Sequence, residues 1–180
     1  AVCDVYEKGI TLSGLSKAFA LPGLRLGWLA AREAGLLERW QAFKDYTTIC
    51  HSAPSEVLGL IALRARQTIL ARNLKIIQAN LAHMEAFCAD HPQLFRWLRP
   101  DAGSIAFPAW TGPGTVNGLA QALVDGHGVM LAAGSLFDTT PAQSRDGQAG
   151  GGHFRVGLGR RNFPEALAQV RAYLRSARLA

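Results

Sequence analysis

Cysteine is scarce in this 180-residue chain: Cys3, Cys50 and Cys88 are the only three, and they lie far apart. An odd count with no CxxC or Cys/His spacing argues against a disulfide framework and offers no zinc ligand set. No metal site is expected, and the thiols read as the reduced cysteines of a cytoplasmic protein. Also missing is any apolar run near the roughly 20 residues that a membrane helix needs, so no membrane partner is expected. The first residues lack the charged, apolar and small-residue blocks of a signal peptide. Charge is sparse as well, at 18% of residues against a usual share of about 25%. With 49% apolar residues, that composition excludes a disordered chain.

The charge that is present is positive on balance: 19 Lys and Arg against 13 Asp and Glu, a net +6. Such a balance raises nucleic acid as a partner. The charges are spread, however, with 10 basic and 8 acidic residues over 1–90, and 9 and 5 over 91–180. The densest group is Arg160, Arg161, Arg171, Arg175 and Arg178, and it reads as solvated surface. No nucleic-acid partner is expected. A chain of this length makes one domain or one and a half, and buries roughly 70% of the surface its unfolded form exposes.

The apolar pattern is that of an α/β protein. Residues 10–16 read as a short strand entering a polar turn. Residues 24–30 read as a second strand, with Leu24, Leu26 and Trp28 on one face and Arg25 and Gly27 on the other. Leu36, Leu37, Trp40 and Phe43 predict a helix over 34–46. Pro54, with Ser52 as a cap, opens a helix expected to run unbroken to about Asp90, on the order of 50 Å. His91-Pro92 ends it. Beyond lie a short strand or turn at 94–98, expected strands at 104–110, 129–132 and 153–159, and helices at 115–127 and 163–177. The stretch 138–152, closing on Gly150-Gly151-Gly152, reads as a loop.

The chemistry concentrates in Thr11-Leu-Ser13-Gly14-Leu-Ser16-Lys17-Ala-Phe-Ala-Leu-Pro22-Gly23-Leu-Arg25-Leu-Gly27-Trp28. A lysine follows a strand among small hydroxyl residues, and an arginine follows it by eight positions after a Pro-Gly turn. Ser13, Ser16 and Arg25 suit a phosphate, for which arginine offers a charge-assisted fork. Lys17 is then within reach of a carbonyl carbon on the same ligand, and a lysine of lowered pKa forms Schiff bases. Taken singly, Lys17 reads as a surface lysine and Arg25 as an ion-pairing one; the joint pattern points to pyridoxal phosphate. A second segment, His153-Phe-Arg155-Val-Gly157-Leu-Gly159, puts Arg155 on one strand face beside two glycines. That arrangement leaves room for a small anion, although a solvent-facing strand arginine would look the same.

The first segment resembles the lysine signature of class I and II aminotransferases of fold type I: Ser-x-Ser-Lys, then Pro-Gly-x-Arg-x-Gly. The second resembles their C-terminal segment, whose arginine grips the substrate α-carboxylate, and Gly103–Pro108 resembles a strand near it. The resemblance implies pyridoxal 5′-phosphate as cofactor, Lys17 as its Schiff-base lysine and proton carrier, Arg25, Ser16 and Ser13 on its phosphate, and Arg155 on the substrate. It implies transfer of an amino group from an L-amino acid to a 2-oxo acid, in a homodimer. One departure stands out: the family serine three residues before the lysine is Gly14 here. Asp4 and Tyr6 invite assignment to the cofactor ring, but they are two apart instead of three and too close to Lys17, so both are rejected. Tyr46 is expected between helices, either packing or bordering the pocket.

The chain, which begins at Ala1, is thus expected to be the C-terminal part of an enzyme about twice as long, inactive alone. Residues 1–54 would end the large cofactor domain, 55–91 form a long interdomain helix, and 92–180 make a small C-terminal domain. The same fold and lysine also serve C–S lyases, amino-acid cyclases and decarboxylases, and non-catalytic effector domains.

Overall fold

The computed structural model describes residues 1–137 and 152–179. The chain divides into two compact units, Ala1–Asn73 and Leu74–Ala180.

The first unit opens with a one-turn helix, α1 (Val2–Val5), and a two-stranded antiparallel ribbon of β1 (Thr11–Gly14) and β2 (Gly27–Ala30). Helices α2 (Ala34–Thr47) and α3 (Ala53–Arg64) follow, and α4 (Arg66–Asp90) begins here. Its buried residues are few: Cys3, Gly9, Leu15, Gly59 and Ala62. Tyr46 lies within α2, not between helices, and is 90% exposed.

Two further expectations fail in this unit. The strand over 24–30 is shorter, because Pro22–Leu24 form a 3-10 turn and Arg25 takes a left-handed conformation (φ 55°). The Pro-Gly pair thus sets a tight turn where apolar alternation had suggested pleating. The long helix is also two helices. Ala65 falls at φ −88°, ψ 15°, in the bridge region, and its N–H is shared between the carbonyls of Ile61 and Leu63. No glycine or proline marks the break. Ser52 is the N-cap of α3, but its side chain makes no capping hydrogen bond.

The second unit has a true core. Short strands β3 (Phe95–Arg96) and β5 (Ala109–Trp110) pair antiparallel, and β4 (Ile105–Ala106), β7 (Phe154–Gly157) and β6 (Ala132–Ala133) form a three-stranded antiparallel sheet with β7 central. The expected strand over 104–110 is divided because Phe107-Pro108 interrupts the ladder between β4 and β5. The strand expected at 129–132 lies slightly later, as β6. Helices α5 (Val116–His127) and α6 (Phe163–Ser176) cover the sheets. α5 buries Val116, Leu119 and Leu123, and α6 buries Phe163, Val170 and Leu174, both at helical spacing. They close on Leu81, Met84, Phe87 and Cys88 of α4. Thr115 caps α5 by accepting from the Gly118 N–H at 3.1 Å. The loop expected over 138–152 lies, apart from Gly152, outside the described residues.

Candidate active site

Strand β1 delivers the lysine segment and β2 leaves from it. Their register sets Gly14 opposite Gly27 and Ser13 opposite Trp28. The glycine pair is a steric requirement. A Cβ on Gly14 would stand 2.8 Å from the Leu26 carbonyl oxygen and 3.1 Å from the Gly27 Cα, and one on Gly27 would stand 2.9 Å from the Ser13 carbonyl oxygen. The departure from the family pattern at Gly14 therefore goes with two backbones in close approach.

Residues 15–21 form a closed turn. The Leu15 N–H donates to the Leu26 carbonyl at 3.1 Å, Leu21 N–H to the Leu15 carbonyl at 3.0 Å, and Ala20 N–H to the Lys17 carbonyl at 3.0 Å. Leu15 is the apolar anchor, 1% exposed. Under it, α3 brings Gly59 so near that a Cβ there would lie 2.5 Å from Leu26 Cδ1 and 3.4 Å from Leu15 Cδ1. From α4, Asn73 Nδ2 donates to the Ala18 carbonyl at 2.9 Å. Neither Gly59 nor Asn73 was legible beforehand, since each is a single small or polar position in a helical run.

Ser13, Ser16, Lys17 and Arg25 line one open groove of about 570 Å³. Ser16 is half-buried; Lys17 and Arg25 are exposed. Arg25 is held at the rim by its left-handed backbone and by Nη1, which donates to the Pro22 carbonyl at 3.2 Å. Among the described residues no acidic side chain lines the groove. A guanidinium, two hydroxyls and an amine around one concavity suit a ligand carrying both a phosphate and an aldehyde.

Arg155 lies in the second unit, on β7. Phe154 and Val156 turn inward and are buried, while Arg155 and Gly157 turn outward, as the alternation predicts. A Cβ on Gly157 would meet nothing within 4 Å among the described residues, which leave the space beside Arg155 open. The end of β7 is pinned by Asn80, whose Nδ2 donates to the carbonyls of Leu158 at 2.8 Å and Arg160 at 2.7 Å. Arg160 and Arg161 are exposed. Asp4 sits on α1 with Tyr6 at its C-cap, ahead of the lysine strand.

Solved structures of pyridoxal-phosphate enzymes of fold type I share this architecture. A PLP-dependent aminotransferase from Streptococcus suis 89-1591 is similar with a TM-score of 0.81 and 30% identity, over 96% of this chain and 43% of that one. The PLP-dependent cyclase OrfR is similar with a TM-score of 0.77 and 28% identity, over 93% of this chain and 43% of that one. Residues 3–159 match the family model of aminotransferase class I and II, and the chain belongs to that family. A curated relative, capreomycidine synthase of Streptomyces vinaceus, is 27% identical over 131 residues, which are 73% of this chain and 33% of that one. The chain thus spans between a third and somewhat under half the length of these relatives. Pyridoxal 5′-phosphate is the cofactor of the family, and the donor set of the groove fits it.

Proposed function

We propose that residues 1–180 are the part of a pyridoxal-phosphate-dependent aminotransferase that carries the cofactor lysine and the carboxylate arginine, within a protein about twice as long. The observation that carries this reading is the groove in which Ser13, Ser16, Lys17 and Arg25 meet, with no opposing acid among the described residues. Arg25, Ser16 and Ser13 hold the cofactor phosphate by charge-assisted hydrogen bonds. When bound, the cofactor supplies an aldehyde carbon for an amine and a ring that withdraws electrons from the attached carbon. Arg155 orients an amino-acid or 2-oxo-acid substrate by its α-carboxylate. Lys17 Nζ would take the proton from the substrate Cα and deliver it to the former aldehyde carbon of the cofactor, which leaves the amino group on the cofactor.

Helix α3 supports the longer protein. Val57, Leu58, Leu60, Ile61 and Leu63 follow one another around it, and all are more than a third exposed. A helix with so wide an exposed apolar surface belongs inside a larger core. In this reading 1–54 ends the cofactor domain, 55–91 connects, 92–180 is the small domain, and the full protein is a cytoplasmic homodimer. The test is borohydride reduction of the full-length protein with its cofactor, followed by peptide mapping. The label is expected on Lys17, and Lys17→Ala should lower turnover by about a thousandfold or more. A label elsewhere, or retained turnover, overturns the assignment.

A second reading, cyclisation of an amino acid, is favoured by the likeness to a PLP-dependent cyclase at 28% identity and to capreomycidine synthase at 27%. Product analysis separates the two: a 2-oxo acid from the amino donor supports transamination, and a cyclic product supports the alternative.

A further inference from the structure

We propose that Phe137 is a positioning residue for Arg155, holding its guanidinium in place for a carboxylate. The inference rests on the reading of Arg155 given above. The Arg155 guanidinium carbon lies over the Phe137 ring, 5.7 Å from its centre. Among the described residues the Arg155 side chain makes no hydrogen bond or ion pair, its backbone pairing with Ala132 in the sheet, so the ring is the one specific contact of the guanidinium. The ring is itself braced. Its edge meets Phe107 at 5.9 Å and 80°, and Phe107 stacks flat on His153 at 5.3 Å and 7°. The 3-10 turn that ends in Phe137 (Gly134–Phe137) is also tied to the start of β7, because the Gly134 N–H donates to the His153 carbonyl at 2.7 Å.

These rings are not core. Phe107 is 45% and Phe137 46% exposed, on the side of the sheet opposite buried Phe154 and Val156. Half-exposed aromatics beside an arginine suit a different role. A free arginine side chain samples many rotamers, and a ligand that uses it must stop that motion. A cation–π contact restricts the guanidinium without occupying any of its N–H donors. Those donors stay available for a carboxylate fork, in the open space beside Gly157.

The test uses the 180-residue chain, whose second unit has its own core, and follows the Arg155 Nε–Hε resonance by NMR. In the wild type that proton is expected to be shifted by the Phe137 ring and to be ordered on the nanosecond scale. Phe137→Leu should abolish the shift and release the motion, while Phe137→Tyr should keep both. An Arg155 that is mobile in the wild type, or unchanged in Phe137→Leu, overturns the inference. Titration with propionate then separates the two ideas. Read on the backbone amides of residues 155–159, which the variant keeps, Arg155→Lys should abolish the response, and if it does not, the carboxylate reading itself is wrong. Phe137→Leu should weaken propionate binding about three- to tenfold, with Phe137→Tyr near wild type. Equal affinity in Phe137→Leu, with the Arg155→Lys control behaving as expected, rejects positioning while leaving the carboxylate reading intact. No propionate response in the wild type rejects both.

Discussion

Gly14 shows how a single position can be legible as a departure and still be unexplained by sequence alone. The missing hydroxyl is plain in the sequence; the reason is a carbonyl 2.8 Å from where the Cβ would go. Restoring the family residue with Gly14→Ser is therefore expected to harm the ribbon. Destabilisation of about 1–3 kcal/mol, the usual range for forcing atoms into filled space, should appear in chemical denaturation. Unchanged stability would mean that the two strands separate freely at Gly14 and Gly27. The cysteines give a second residue-scale prediction. Burial pushes the Cys88 thiol up to about 11, while Cys50 is exposed. At pH 8 a thiol reagent should modify Cys50 quickly and Cys88 only on unfolding. The linkage has a definite sign: the native state keeps the Cys88 proton longer than the unfolded chain. The stability this contributes is complete below the ordinary thiol value of 9.0 and is lost as pH rises through about 11. A Cys88→Ala variant should show less of that alkaline loss in denaturation series at pH 8, 9 and 10.

At the scale of elements, periodicity located α2, α5 and α6 to within a few residues, because α5 and α6 have apolar stripes and a Thr or Pro at their starts, and α2 repeats Leu36, Leu37, Trp40 and Phe43 at helical steps. The alternation in β7 separated buried Phe154 and Val156 from outward Arg155 correctly. It misled at 24–30, where Leu24 and Leu26 alternate in sequence but belong to a turn closed by local hydrogen bonds. The break at Ala65 left no mark in residue type at all. The supports of the site were equally hidden. Asn80 looked like one more position on a helix, yet its amide holds the two carbonyls beyond β7. Asn80→Ala leaves both without that donor, the Leu158 carbonyl in a buried place. It should cost about 2 kcal/mol in the second unit, read by denaturation. It should also loosen Leu158 and its neighbours in hydrogen exchange. An exchange pattern unchanged at residues 158–160 would assign those carbonyls another partner.

At the scale of the molecule, the two units differ in how far each has a closed interior. Residues 74–180 gather Phe87, Leu123, Leu158 and Leu174 at 1% exposure or less, whereas residues 1–73 have Leu15 as their one large side chain buried to that degree. Hydrogen exchange should therefore be slow through α5, α6 and the second half of α4, and markedly faster in α2 and α3. Equal protection in both units would contradict that contrast. The candidate site was legible because its chemistry is compact in sequence, with Lys17 and Arg25 eight residues apart. What holds Lys17 in place was not, because Gly59 and Asn73 come from helices far along the chain.

The uncovered apolar flanks of α3 carry a consequence for the cell. Chaperones and proteases select chains by the oily surface they display, and α3 displays it on the flanks away from Gly59 and Ala62. Synthesised by itself, the polypeptide 1–180 would be handled as a client of quality control through its first seventy or so residues, however well the remainder folds. Its steady-state abundance would then be set by whatever covers that helix, and only secondarily by the well-packed second unit.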